Sequence, residues 1–115
     1  MTLNREFNAV QGRFEVDLGT KHHFTDGVYA KEMHLPAGYK AYSHQHSYSH
    51  FGMLAKGAAI VRTDEGSTTY NAPAIIEIMA NTNHEITALR DVTWFCIHAT
   101  QETDEDKVDQ VLLGE

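Results

Sequence analysis

Turn-forming residues interrupt this chain about every ten positions, and the stretches between them are short and rich in β-branched or alternating apolar residues. The clearest interruptions are Asp26-Gly27, Pro36-Ala37-Gly38, Lys56-Gly57 and Asp64-Glu65-Gly66. Proline cannot donate to a strand ladder and glycine tolerates a chain reversal, so each group marks the end of a strand. The spacing therefore predicts an all-β sandwich or barrel.

The turns divide the chain into roughly eight predicted strands, each within the usual range of strand lengths. We expect them at Val28–Leu35, Lys40–His46, His50–Ala55, Ala58–Thr63, Thr68–Asn71, Ala74–Met79, Glu85–Leu89 and Val92–Ala99. Several are joined by only two or three residues, which is typical of antiparallel hairpins.

The two ends of the chain have different patterns. Near the N-terminus, Phe14, Val16 and Leu18 alternate with acidic residues, so Met1–Lys21 is interpreted as an edge strand or arm. An edge strand invites pairing with another chain, and we therefore expect a homodimer in which each copy covers the edge of the other. Near the C-terminus, a threonine cap followed by acidic residues predicts a short helix over 103–113.

Composition narrows the organisation and the partners. A length of 115 residues predicts a single domain over 1–115, and a formal charge of -7 without a Lys/Arg cluster argues against nucleic acid or an anionic membrane surface as a partner. The single cysteine cannot form an internal disulfide, and the polar start has no apolar signal segment. These features predict a cytoplasmic protein that acts on a small molecule.

Eight histidines are the unusual part of the composition. His44 and His46 have the same parity, so a regular strand directs both to one side, and His50 can face them after a turn. His84 follows a loop-like segment further along the chain. Neutral imidazole is a common ligand for zinc, iron, copper and nickel, which points to a metal site. The alternative interpretation is that these histidines are ordinary polar residues on the wet face of an antiparallel sheet.

Glycines at fixed distances from these histidines make the metal interpretation more specific. The spacing Gly38-x5-His44-x-His46-x3-His50-x6-Gly57 resembles the first motif of the cupin superfamily, Gly-x5-His-x-His-x3-4-Glu-x6-Gly. His50 stands where that motif usually has Glu.

The second cupin motif, Gly-x5-Pro-x-Gly-x2-His-x3-Asn, is matched only in part. His84 is retained, whereas Pro73, Met79, Asn81 and Ala88 stand in place of the first Gly, the Pro, the second Gly and the Asn. Asn81 is the most tolerable of these changes, because asparagine adopts a positive φ more readily than other residues with a side chain.

The resemblance covers about 28–99 and implies a cupin-type jelly-roll β-barrel with one metal ion per chain. It implies His44, His46, His50 and His84 as the ligands. An all-nitrogen set favours iron, manganese, nickel, copper or zinc over magnesium and calcium, and the family analogy favours iron. An octahedral ion would keep two positions open, whereas tetrahedral zinc held by four histidines would be structural.

The same analogy implies a metal-dependent enzyme, with dioxygenase chemistry on a small chelating molecule as the first choice. Two alternatives remain open. One is a non-redox isomerase or lyase that uses the metal as a Lewis acid, and the other is a module that binds a metal or ligand without turnover. No catalytic residue is assigned, because no clear interior acid or base stands out.

The other histidines receive structural interpretations. His22 and His23 fall in a predicted loop, and adjacent residues on a strand point to opposite faces, so they are expected at the surface or at a dimer contact. His34 and His98 have parities that fit either the barrel interior or solvent. Both are interpreted as structural residues.

A few non-histidine residues lie near the predicted site in sequence. Tyr42 shares the parity of His44 and is a candidate for the barrel mouth, while Tyr48 fits either a position beside the metal or the surface. Glu77 is a conceivable general base, and Glu85 is expected to point away from its neighbour His84. Cys96 is expected to pack as a small apolar group, because no basic neighbour is evident in the sequence.

Overall fold

The computed structural model describes residues 7–11, 14–16, 19–43 and 48–100 of the chain. Within these ranges every regular element is a β-strand, which confirms the all-β prediction. The described residues include no helix that is long and apolar enough to cross a membrane. The strands are β1 Phe7–Gln11, β2 Phe14–Val16, β3 Lys21–Thr25, β4 Val28–Leu35, β5 Lys40–Ser43, β6 His50–Lys56, β7 Ala58–Thr63, β8 Gly66–Asn71, β9 Ala74–Ile78, β10 His84–Ala88 and β11 Val92–Ala99. The predicted helix over 103–113 lies outside the described residues.

The strands form two antiparallel sheets. The six-stranded sheet has the order β2-β1-β5-β10-β7-β8, and the five-stranded sheet has the order β3-β4-β11-β6-β9. Strands that are neighbours in a sheet are often distant in sequence, as where β5 pairs with β10 and β4 pairs with β11. This arrangement is consistent with the predicted jelly roll.

The core lies between the sheets and follows from strand alternation. Buried and more exposed residues alternate along β4 and β11, so one side of each strand packs inward. We call this side the inner face and the solvent side the outer face. The inner-face core includes Met33, Leu54, Ile76, Ile86 and Trp94.

The segment around His22 and His23 differs from its prediction as a loop. It forms β3, which pairs with β4 in the register His22↔Lys31 and His23↔Ala30. Turn residues at Asp26-Gly27 close this hairpin, so polar residues that resemble a loop in sequence are held as a strand by their partner. Tertiary pairing outweighs the weak strand propensity of the segment.

Positive φ angles explain why the two glycine positions of the first motif favour glycine. Gly38 has φ 86° and Gly57 has φ 92°, a region that side chains disfavour. At Gly57 a Cβ would also lie 2.3 Å from the backbone oxygen of Asp91. Asn81 stands where the second motif has its second glycine, and it has φ 60°. This agrees with the prediction that asparagine is tolerated there.

Candidate metal centre

His84 has the local geometry of a metal-binding histidine. It begins β10 on the inner face and is buried. Its Nδ1 lies 3.1 Å from the backbone oxygen of Thr82. Because a carbonyl oxygen only accepts, Nδ1 carries the proton, and the lone pair of the neutral ring is on Nε2. Such a bond from the far nitrogen is what orients histidine ligands in metal proteins.

His50 is also buried, at the start of β6 and opposite Ile78 of β9. The loops that precede His50 and His84 are tied together, because the backbone nitrogen of Ala80 donates to Ser49 Oγ at 3.0 Å. Both histidines therefore begin their strands at one end of the barrel, as the predicted site requires.

His44 and His46 lie outside the described residues. The strand that precedes them does approach His84, since Ser43 stands opposite His84 in the β5–β10 register. However, Tyr42 points outward with 43% of its surface exposed, while Ala41 is buried. Ala41 and Tyr42 therefore alternate between the inner and the outer face.

A second group of metal-binding side chains surrounds His50. Ligand atoms of His50, Cys96 and His98 all lie within 4.8 Å of one another, and all three residues are buried. The rings of His50 and His98 are stacked with centroids 4.2 Å apart. The interpretation of His98 and Cys96 as merely structural did not anticipate this cluster. Their shared parity with Trp94 placed them on one strand face, but only the pairing of β11 with β6 brings that face to His50.

Two polar residues lie close to this cluster, one before β6 and one on β4. The hydroxyl of Tyr48 lies 3.3 Å from Nδ1 of His98. Lys31 is almost wholly buried on β4 and stands directly opposite Cys96 in the β4–β11 register. The expectation that Cys96 has no basic neighbour is therefore wrong. Cross-strand pairing, which sequence spacing does not reveal, is the reason.

His22 also contributes to the inner face. It is half-buried, and its Nδ1 lies 2.7 Å from the hydroxyl of the fully buried Tyr29. The ring of Tyr29 is in turn stacked on His98, with centroids 6.0 Å apart. The surface interpretation is thus wrong for His22 and holds for His23, which is exposed on the other face.

The outer face carries a different cluster, built around Glu32. One carboxylate oxygen accepts a hydrogen bond from His23 Nε2 at 2.9 Å, and the other accepts one from His34 Nε2 at 2.6 Å. These two hydrogen bonds, first that of His23 and then that of His34, lower the pKa of Glu32 below its ordinary value. His34 is therefore a structural residue on the solvent side, as expected.

Two acidic candidates have contrasting positions. Glu85 forms ion pairs with Lys40 at 3.1 Å and with Arg62 at 3.9 Å, which supports its orientation away from His84. Glu77 lies on β9 among residues that line two separate cavities. Glu77 is therefore the acidic residue that these two cavities share, and it is exposed.

The cavities open beside the two histidine groups. One of about 580 Å³ lies along β7, β8 and β9 and includes His84, Glu77, Thr63 and Thr68 in its lining. Another of about 290 Å³ is lined by His50 and His98 with Ser49 and Glu77. The larger volume is within the range of small-molecule sites.

No family model matches the chain, and no curated protein matches it in sequence. Solved structures do match in fold. A cupin-2 domain protein from Shewanella frigidimarina superposes with a TM-score of 0.60 at 12% identity, over 70% of this chain and 79% of that one. KdgF from Halomonas sp. gives 0.63 at 19% identity, over 76% and 81% of the two chains. A variant of salicylate 1,2-dioxygenase from Pseudoaminobacter salicylatoxidans gives 0.61 at 13% identity, over 68% of this chain and 25% of that one. These likenesses show that the chain has the cupin fold.

Proposed function

We propose that this chain is a metal-dependent enzyme that binds one divalent transition metal ion in the barrel and acts on a small chelating molecule. The observation that carries the proposal is the geometry of His84: a buried imidazole whose Nδ1–H is held by the Thr82 carbonyl, in the lining of a cavity of about 580 Å³. A histidine that serves only as a polar surface residue does not need this arrangement.

The proposed ligands are His44, His46, His50 and His84. The donor set fits a transition metal, since imidazole nitrogen suits iron, copper, nickel and zinc. Iron is the preferred ion, and when bound it would supply the redox chemistry of dioxygen activation. The chain itself would hold the ligands in place, orient the substrate and exclude water.

The cavity beside His84 is the proposed substrate site. Thr63, Ser67 and Thr68 line it, together with Glu77 and the half-buried Tyr70. Hydroxyl groups can bind a polar substrate in a defined orientation, and Glu77 is the proposed group to accept or return a proton. Apolar lining from Val61 and Ile76 would keep the inner end of the cavity dry.

We propose an oxygenase first among the candidate activities, and the fold likeness to a salicylate 1,2-dioxygenase supports this choice. Elemental analysis of protein purified without an affinity tag would test it, followed by spectra of the metal with and without oxygen. We expect iron, at one ion per chain, whose spectrum changes with oxygen or with a catechol-like chelator. Redox-inert zinc at full occupancy would contradict the oxygenase and favour the isomerase, lyase or binding alternatives.

Loss of the His84 imidazole would test the ligand set itself. We expect His84→Ala to lower metal content, because Nε2 is a proposed ligand. His23→Ala is the matched control, since its imidazole is on the outer face and bonded to Glu32. Equal metal content in the two variants would contradict the proposed site.

We further propose that the chain is a homodimer. Strand β2, Phe14–Val16, lies at one edge of the six-stranded sheet, and β1 is the one described strand with which it pairs. A second copy could extend the sheet there. Light scattering should give about twice 12.9 kDa at micromolar concentration. A full-length monomer contradicts the dimer, and a dimer that survives removal of residues 1–18 contradicts the edge-strand contact.

A further inference from the structure

The group formed by His50, Cys96 and His98 is chemically different from the proposed four-histidine set. It combines two imidazoles with a thiol on two adjacent strands. Cys96 stands opposite Gly52 and Ile97 opposite Phe51 in the β6–β11 register, and one further step beyond Ile97 places His98 opposite His50. All three side chains point to the inner face and are buried, so water competes little for their donor atoms.

We propose that His50, Cys96 and His98 form a thiolate-containing site for a borderline-soft divalent ion, with zinc as the ion it fits best. In tetrahedral zinc sites the bonds are about 2.3 Å to sulfur and 2.0 Å to nitrogen, which sets ligand atoms about 3.5 Å apart. The three candidate atoms lie within 4.8 Å of one another. Side-chain movements of about an ångström would bring them to the separation that a bound zinc ion requires.

Neighbouring groups suit this role. A bond from His98 Nδ1–H to the Tyr48 hydroxyl, 3.3 Å away, would leave the lone pair on Nε2 for the metal. Lys31 is buried and stands opposite Cys96 in the β4–β11 register. Tyr48 is a positioning residue here, since it is not a ligand.

Three protein ligands would leave one coordination position of a tetrahedral ion open, and His50 and His98 also line the cavity of about 290 Å³. Three protein ligands and one open position are the arrangement of catalytic rather than structural zinc. Ser49 and Glu77 line the same cavity and would be the nearest polar groups to a molecule bound there.

His50 belongs to both ligand sets, so one chain cannot fill both sites at once. Ion softness would then decide which site is occupied: thiolate favours zinc or cobalt, and an all-imidazole set accepts iron. This inference shares only His50 with the proposed function and does not depend on His44, His46 or His84.

Cobalt(II) is a suitable probe, because it replaces zinc and gives a thiolate-to-metal charge-transfer band in the near ultraviolet only when sulfur is a ligand. Protein stripped with a chelator would be titrated with cobalt(II) alone. We expect the band in the wild type at one ion per chain. Cys96→Ser should abolish it while changing the side chain by one atom, and Tyr48→Phe should keep it with affinity about 10–100-fold weaker.

Two controls separate this site from the four-histidine site. His84→Ala and His34→Ala should both keep the cobalt band, since neither residue belongs to the thiolate cluster. If His84→Ala removes the band as completely as Cys96→Ser, the separate site is contradicted. If His84→Ala leaves metal content and activity intact while Cys96→Ser removes them, the four-histidine function is contradicted and the thiolate site stands.

X-ray absorption on zinc-loaded wild-type protein gives a second test that needs no variant. We expect one sulfur scatterer at about 2.3 Å beside nitrogen scatterers at about 2.0 Å. A shell without sulfur, or a wild-type protein without the cobalt band, overturns the proposal. Circular dichroism of metal-free Cys96→Ser would establish that loss of the band is not loss of the fold.

Discussion

The two faces of the five-stranded sheet carry histidines in opposite chemical settings. On the outer face, His23 and His34 share the carboxylate of Glu32, at 2.9 and 2.6 Å. On the inner face, His50 and His98 stack 4.2 Å apart beside a thiol, and the cluster contains no carboxylate. The residue type is the same, and the neighbours differ.

This comparison shows that strand alternation, by placing a histidine on one face or the other, determines its chemical neighbours. On the outer face, both imidazoles are engaged by hydrogen bonds to the Glu32 carboxylate. On the inner face, the imidazoles lie beside a thiol, and a neutral imidazole offers a lone pair to a cation. One residue's shift in register would exchange the two roles.

The largest expected contrast between the faces is in metal affinity. We expect His50→Ala to weaken metal binding by more than about 100-fold, beyond the effect of losing a group that only orients a ligand. His34→Ala, on the outer face, should leave affinity unchanged. Isothermal titration with zinc and with iron(II) measures both. Unchanged stoichiometry and spectrum in His50→Ala would remove His50 from both proposed sites.

The next contrast is in packing. A Cβ on Gly52 would lie 2.3 Å from Cζ2 of Trp94, so the inner face of β6 has no room for a methyl group there. We expect Gly52→Ala to cost about 1–3 kcal/mol of unfolding free energy in urea denaturation, as overpacking does. Ala55→Ser also adds one atom to β6 at an exposed position and should change stability by less than about 0.5 kcal/mol.

A double-mutant cycle sharpens that test. If the Trp94 ring causes the cost of Gly52→Ala, the cost should fall by at least about 0.5 kcal/mol in a Trp94→Phe background. An equal cost in both backgrounds would mean that the ring contact is not the cause.

The smallest expected effect is the pH dependence of the outer cluster. The pKa of Glu32 in the folded chain lies below its ordinary value of 4.5, so its stabilising contribution is present above pH 4.5 and is lost as pH falls through the native pKa. We expect Glu32→Gln to be less stable than wild type at pH 7, by up to about 1 kcal/mol, as for an exposed ion pair. Urea denaturation should show the difference between the two proteins narrowing as pH falls below 4.5. A difference that stays equal from pH 7 to below pH 4.5 would contradict the role of the carboxylate.

Local rules were enough to predict most strands of the fold. The predicted limits of Val28–Leu35, Ala58–Thr63 and Val92–Ala99 agree with β4, β7 and β11. Turn chemistry and alternation are encoded within a few residues, so they can be read along the chain. The segment at His22 and His23 was wrongly predicted as a loop, because its strand depends on the partner β4 rather than on its own residues.

The sequence by itself determined the all-β class, the turn positions and the candidate histidines at His50 and His84, because spacing and residue type carry that information. Only the tertiary structure decided that Cys96 and His98 meet His50, that Lys31 stands across from Cys96, and that Glu32 joins His23 to His34. These contacts depend on which strands pair and in which register. Registers between strands distant in sequence are selected by the packing of the whole barrel, and no local pattern specifies them.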